Sequence, residues 1–175
     1  AGAGGECPRG SPEIAGRAGT SGGCSAGCER TRSRSAPTRE MKRLRETRVE
    51  REVAFHHVGM LGVAWHGHYA AYLEEARSKL LRSCGLDAGD LIGTKYLLFV
   101  IESKCRHAFP LFYADRMRVV AWVEDYEHRI AIHYEITNLN HKRRAARAHT
   151  ILAIADLQRN LLLETPDEIQ RRLVD

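Results

Sequence analysis

The sequence predicts an α+β domain in which one long helix packs against a single antiparallel sheet. Three features predict it: a helical segment with one narrow apolar stripe, a strand-like run before it, and alternation with a period of two through nearly everything after it. A chain of 175 residues has room for one such domain.

Residues 49–58 (VEREVAFHHV) read as a first strand, with Val53 and Phe55 on one face. A turn follows from Gly59 to Gly62. From about Gly67 onward, Tyr69, Tyr72, Leu73, Ala76 and Leu80 fall on one helical stripe, and Gly85 is a natural stop. Residues 97–109 set Phe99, Ile101, Cys105 and Phe109 against Glu102, Lys104 and Arg106. The next run sets Met117, Val119, Ala121 and Val123 against Arg116, Arg118 and Glu124. Ile130, Ile132, Tyr134 and Ile136 continue the pattern, and Ala148, Thr150, Leu152 and Ile154 complete it. The links DYEH and NLNHK are short and turn-rich, as antiparallel hairpins require. From Pro166 (TPDEIQRRLVD) a short last helix is expected, with Thr165 as its cap and Pro166 at its first position. The apolar stripe of the long helix needs a cover, and the sheet is the surface large enough to provide one.

Residues 1–40 differ from the rest. They hold nine of the 15 glycines and one bulky apolar side chain, Ile14. Such a composition cannot bury enough apolar surface to offset the entropy of ordering it, so a disordered, low-complexity basic tail is expected there, with the folded domain at 41–175. Residues 1–48 carry ten Arg/Lys and five Asp/Glu, a surplus equal to the +5 of the whole chain. The domain itself is near neutral, which argues against nucleic acid as its partner. Met41 is the first methionine, so a start placed too far upstream, or an expression remnant, accounts for the tail as well as a genuine extension does. No run is long and apolar enough to span a bilayer, and a cytoplasmic protein without a membrane partner is expected. Five cysteines show no pairing pattern; Cys84 and Cys105 are expected to be small buried hydrophobes, and Cys24 with Cys28 is a weak zinc motif.

The segment His56 to Arg77, HHVGMLGVAWHGHYAAYLEEAR, carries most of the functional information. Its Gly62, Val63, Trp65, His66, Gly67, Tyr69, Glu74, Ala76 and Arg77 resemble the signature of the 4-hydroxybenzoyl-CoA thioesterase-like branch of the hotdog superfamily. The resemblance implies a hotdog fold, a curved antiparallel sheet wrapped round one long central helix. It also implies a homodimer or homotetramer, an acyl-CoA substrate, and hydrolysis to a free acid and CoA without metal or other cofactor. The sequence departs at one position. The acidic residue of that family falls on Gly59, seven residues before His66. A non-catalytic hotdog protein that binds acyl-CoA or an acyl-carrier protein is therefore the rival expectation.

In the implied site, backbone amides of His66 or Gly67 at the helix start receive the thioester oxygen. Gly67 as a small residue for close helix–strand packing is the plainer alternative. With Gly59 unable to act as a base, the replacement candidates are His57, His66, His68, Glu74 and Glu75, and the two carboxylates are singled out because a second hotdog branch uses a carboxylate further along the same helix. Surface ion pairs, Glu74 with Arg77 or Ser78 and Glu75 with Lys79, are the competing expectation for them. Val63, Trp65 and Tyr69 would form the apolar wall for the acyl group, or serve simply as core. Arg143 and Arg144 on the NHKRRAAR hairpin would meet the CoA phosphates, or merely solubilise the hairpin. The histidines His56, His57, His66 and His68 are dense, but neighbouring strand residues point to opposite faces, so no metal is expected.

Overall fold

The computed structural model describes residues 43–174, and the expectations for the tail and for Cys7, Cys24 and Cys28 lie outside them. Five strands form one antiparallel sheet: β1 (Leu44–Glu52), β2 (Leu97–His107), β3 (Arg116–Asp125), β4 (Ile130–Asn138) and β5 (Arg143–Ala155), in the spatial order β1-β3-β4-β5-β2. The long helix α1 (His66–Ser83) connects β1 to β2, with one short helical turn, α2 (Ala88–Leu91), behind it. Helix α3 (Asp167–Val174) closes the fold. All four strand pairings carry a register shift, and such bulges increase twist and let a sheet curl round a helix. This is the hotdog arrangement.

The central strands follow their sequence pattern. Met117, Val119, Ala121 and Val123 on β3 are buried, as are Ile130, Ile132, Tyr134 and Ile136 on β4 and Ala148, Thr150, Leu152 and Ile154 on β5. The α1 stripe of Tyr69, Tyr72, Leu73, Ala76 and Leu80 is buried too, joined by Leu81. Gly85, at φ +65°, ends α1: its amide donates to the Arg82 carbonyl at 3.1 Å and that of Leu86 to Leu81 at 2.9 Å. Only a residue at ease in the left-handed region closes this pair of hydrogen bonds cheaply.

The edges depart from expectation. The first strand ends at Glu52, and Phe55–His57 forms a single 3-10 turn, so Phe55 points away from the core and is 78% exposed while Val53 is buried. In β2 the register slips between Val100 and Glu102, leaving Ile101 as the extra residue. Leu98 and Val100 lie opposite Ile154 and Leu152, and beyond the bulge Ser103, Cys105 and His107 continue the same side opposite Thr150, Ala148 and Ala146, although at this edge Val100, Ser103 and His107 are themselves exposed. Phe99 therefore falls on the outer face with Glu102, Lys104 and Arg106, contrary to simple alternation. Cys84 is buried and Cys105 half-buried, as expected of small hydrophobes. Thr165 is not a cap: its buried hydroxyl has no partner, and Gln170 Nε2 donates to the Thr165 carbonyl at 2.7 Å instead. On the outer face Trp122 is buried, with the Arg43 guanidinium 4.3 Å above its ring. Among the described residues no helix is long and apolar enough to cross a membrane.

Candidate active site

The approach to α1 is a small hairpin. The Trp65 amide donates to the His57 carbonyl at 2.9 Å, Val58 bridges Ala64, and the Gly59 amide donates to Val63 at 3.0 Å. Gly62, at φ +73°, closes the tip by donating to Gly59 at 3.0 Å. Residues directly opposite in such a pair share a face, so a side chain at position 59 would emerge beside Val63. A Cβ at Gly59 meets nothing within 4 Å.

Helix α1 then starts without a side-chain cap, and no acidic residue occupies its first turn. The first amides of a helix have no intrahelical acceptor and carry the positive end of its dipole. A cleft of about 320 Å³ opens here. Val63, Ala64, His66 and Tyr69 line one side, and His107, Ala108, Phe109 and Pro110, from the end of β2, line the other. Burial, and then the neighbouring Cys105, push the Tyr69 phenol up to about 12.

The structure brings some predicted residues here and takes others away. Val63, His66 and Tyr69 meet in the cleft. Trp65 does not line it: its indole is 55% exposed and rests against the His66 and His68 rings at 4.8 and 5.7 Å. Gly67 does permit a close approach, but that of the Trp65 indole, into which any Cβ would run. Glu74 is ion-paired with Arg77, as surface geometry suggested, whereas Glu75 pairs with Arg51 rather than Lys79. Both line a separate groove with His57 and Tyr72. Arg143 and Arg144 diverge because they are adjacent strand residues. The Arg143 guanidinium sits 4.4 Å over the Phe109 ring at the cleft, while Arg144 turns to Glu135 on the other face at 3.9 Å.

The histidine cluster is tighter than a strand would make it. Because residues 55–57 form a 3-10 turn, the His57 ring lies 4.2 Å from that of His56 and 4.5 Å from that of His68. His57 Nδ1 and the Tyr72 hydroxyl are hydrogen-bonded at 2.8 Å. Burial, followed by the charges of His56 and His68, lowers the His57 pKa. Among the described residues no three His, Cys, Asp or Glu side chains form a group able to hold a metal ion.

Two features escaped the sequence. His107 to Pro110 supply the second wall, and only the β2–β5 pairing brings them to the helix start. Behind them Asp115, buried, accepts from Asn138 Nδ2 at 2.6 Å and from the Phe112 amide at 2.9 Å. Asn138 Oδ1 in turn accepts from the amides of Asn140 and His141, both at 3.1 Å. This knot fixes the loop whose Phe112 bridges Val63, and the hairpin that carries Arg143.

Comparison with known proteins agrees with the geometry. The family model of the thioesterase-like superfamily matches residues 53–173, and the chain belongs to that superfamily. A relative in Bacillus subtilis, named "Putative acyl-CoA thioesterase YneP", is 26% identical over 80 residues, which cover 46% of this chain and 58% of that protein. The chain thus spans less than two thirds of that relative. Slr0204, a 1,4-dihydroxy-2-naphthoyl-CoA thioesterase from Synechocystis, superposes with a TM-score of 0.65 at 22% identity, over 73% of this chain and 95% of its own. A 4-hydroxybenzoyl-CoA thioesterase variant in complex with 4-hydroxybenzoyl-CoA gives 0.65 at 14% identity, over 74% and 99%. At these identities the superpositions establish the fold.

Proposed function

We propose that this domain hydrolyses an acyl-CoA thioester to a free acid and CoA, with the thioester oxygen held by the amides of His66 and Gly67. The uncapped start of α1, opening into a cleft walled by Val63, Tyr69 and Phe109, is the observation that carries the reading. Donors fixed in advance on a developing oxyanion are worth roughly 10²–10³ in rate. The acyl group lies along Val63 and Tyr69, and Arg143, beside Phe109, faces the CoA phosphates. Superfamily membership and the names of the relatives support the same chemistry. The reading takes the domain to be cytoplasmic, a compartment that supplies acyl-CoA.

The working unit is proposed to be a homo-oligomer built on a two-fold dimer. Strand β2 is an outer edge of the sheet, and its Phe99, Val100 and Ile101 are 41, 47 and 55% exposed. An unpaired apolar edge is a ready surface for a second copy. Gly59 favours one rival: with no carboxyl group at that position, the domain would bind acyl-CoA or an acyl-carrier protein without turning it over. Spectrophotometric detection of thiol released from a panel of acyl-CoAs decides between the two. Saturable release supports hydrolysis; tight binding with no release supports the binder.

A further inference from the structure

We propose that His107 is the catalytic base of this cleft, taking the proton of the attacking water where Gly59 offers no acidic side chain. The proposal rests on the thioesterase reading above. His107 is the last residue of β2 and lies opposite Ala146. Immediately after it, the amides of Ala108 and Phe109 both donate to the Ala145 carbonyl, at 2.8 and 3.1 Å, so the backbone is fixed on both sides of the ring. The imidazole stands edge-to-face with Tyr69, 4.4 Å between centroids at 86°. It therefore projects from the wall facing the open helix start. Acyl transfer needs this division: the oxyanion goes to donors on one wall, while water reaches the carbonyl carbon under a base on the other.

The other candidates are committed elsewhere. Tyr69 keeps its proton, its phenol pushed up to about 12. His66 rises from the same wall as the amide donors, and its ring lies against Trp65. Glu74 and Glu75 are ion-paired beside a different groove. Asp115 is buried in its bonds to Asn138 and Phe112. The titratable or charged groups placed against this cleft include His66 and Tyr69 on α1, Cys105 two residues back on β2, Arg143 on β5 over Phe109, and His141, whose ring lies 5.3 Å from that of Phe109. None is a carboxyl group. In the reaction the water oxygen bonds to the thioester carbon as its proton passes to the imidazole. The C–S bond then breaks with its electron pair on sulfur, and the imidazolium returns the proton to the thiolate. One water is consumed, and one acid and one thiol are released.

The test is thiol release over about pH 5 to 9 by the unaltered chain, His107→Gln, His66→Gln, Gly59→Asp and the double variant Gly59→Asp/His107→Gln, each with its melting temperature. His107→Gln should lose roughly 10²–10⁴ in kcat with KM changed less than about threefold, and should lose the acidic limb of the pH profile. The double variant should regain turnover with that limb moved down into the carboxylate range. A merely structural role for His107 would lower the melting temperature and leave the limb in place. His107→Asn replaces the Gln variant if the latter does not fold. Retention of kcat and of the limb in His107→Gln, or loss of the limb in His66→Gln instead, overturns the assignment while leaving the thioesterase reading intact. No release by the unaltered chain or by Gly59→Asp overturns both.

Discussion

At position 59 the structure leaves space for a side chain and no conformational obstacle to one. Nothing lies within 4 Å of a Cβ there, and the residue opposite, Val63, lines the cleft. Gly59→Asp should therefore fold as the parent does and raise kcat/KM most on the acidic side of the profile, because a carboxylate base stays ionised at a lower pH than an imidazole does. Near pH 8 the gain should be small; pH-dependent kinetics on one acyl-CoA checks both limits. His57 makes a separate prediction. Its pKa is lowered from 6.5, first by burial and then by His56 and His68, so the unfolded chain takes up that proton more readily than the folded one. His57 thus costs the fold nothing above that value and destabilises it as the pH falls below. His133 shifts in the same direction, through burial. The lowered carboxyl groups Glu46 and Glu50 titrate below 4.5, outside this window. The melting temperature should drop between pH 7.5 and about 5.5, and His57→Gln should flatten that slope.

Elements differ in how plainly the sequence announces them. Strands β3, β4 and β5 each have a neighbour on both sides and one face on the core, so every second residue must be apolar, and alternation alone locates them. Strands β1 and β2 are edges, where a bulge at Ile101 or an early end at Glu52 costs little. Nothing in the pattern marks either event. The cleft divides in the same way. Val63, His66 and Tyr69 are neighbours in sequence and readable as a motif, whereas His107 and Phe109 join them only through strand order. The Asp115–Asn138 knot is likewise invisible beforehand, because both residues look like ordinary loop polar groups. Asn138→Ala would remove a donor from buried Asp115 and an acceptor from two amides. The expected loss is about 2–4 kcal/mol in urea denaturation, together with weaker substrate binding as the Phe112 loop loosens.

On the scale of the molecule, the described residues enclose their own core, and a chain beginning at Met41 should melt at the same temperature as the full chain. A fall of several degrees would show that residues 1–40 contribute to the fold. The proposed dimer across the edge of β2 makes a prediction: light scattering should give at least twice the monomer mass, and Ile101→Lys should shift the population toward monomer by placing a charge on that edge. The two tryptophans divide the molecule optically. Trp122 is sealed beneath Arg43 on the far side of the sheet, and Trp65 lies half in solvent across Gly67 at the mouth of α1. Trp65 stands outside the cleft but against the ring of His66, which lines it, so an arrival at the helix start should reach its emission through that ring, while the sealed indole stays constant as an internal reference. With Trp122→Phe, the remaining fluorescence would come from the doorway alone, and the occupancy of the site could be read in real time without a label.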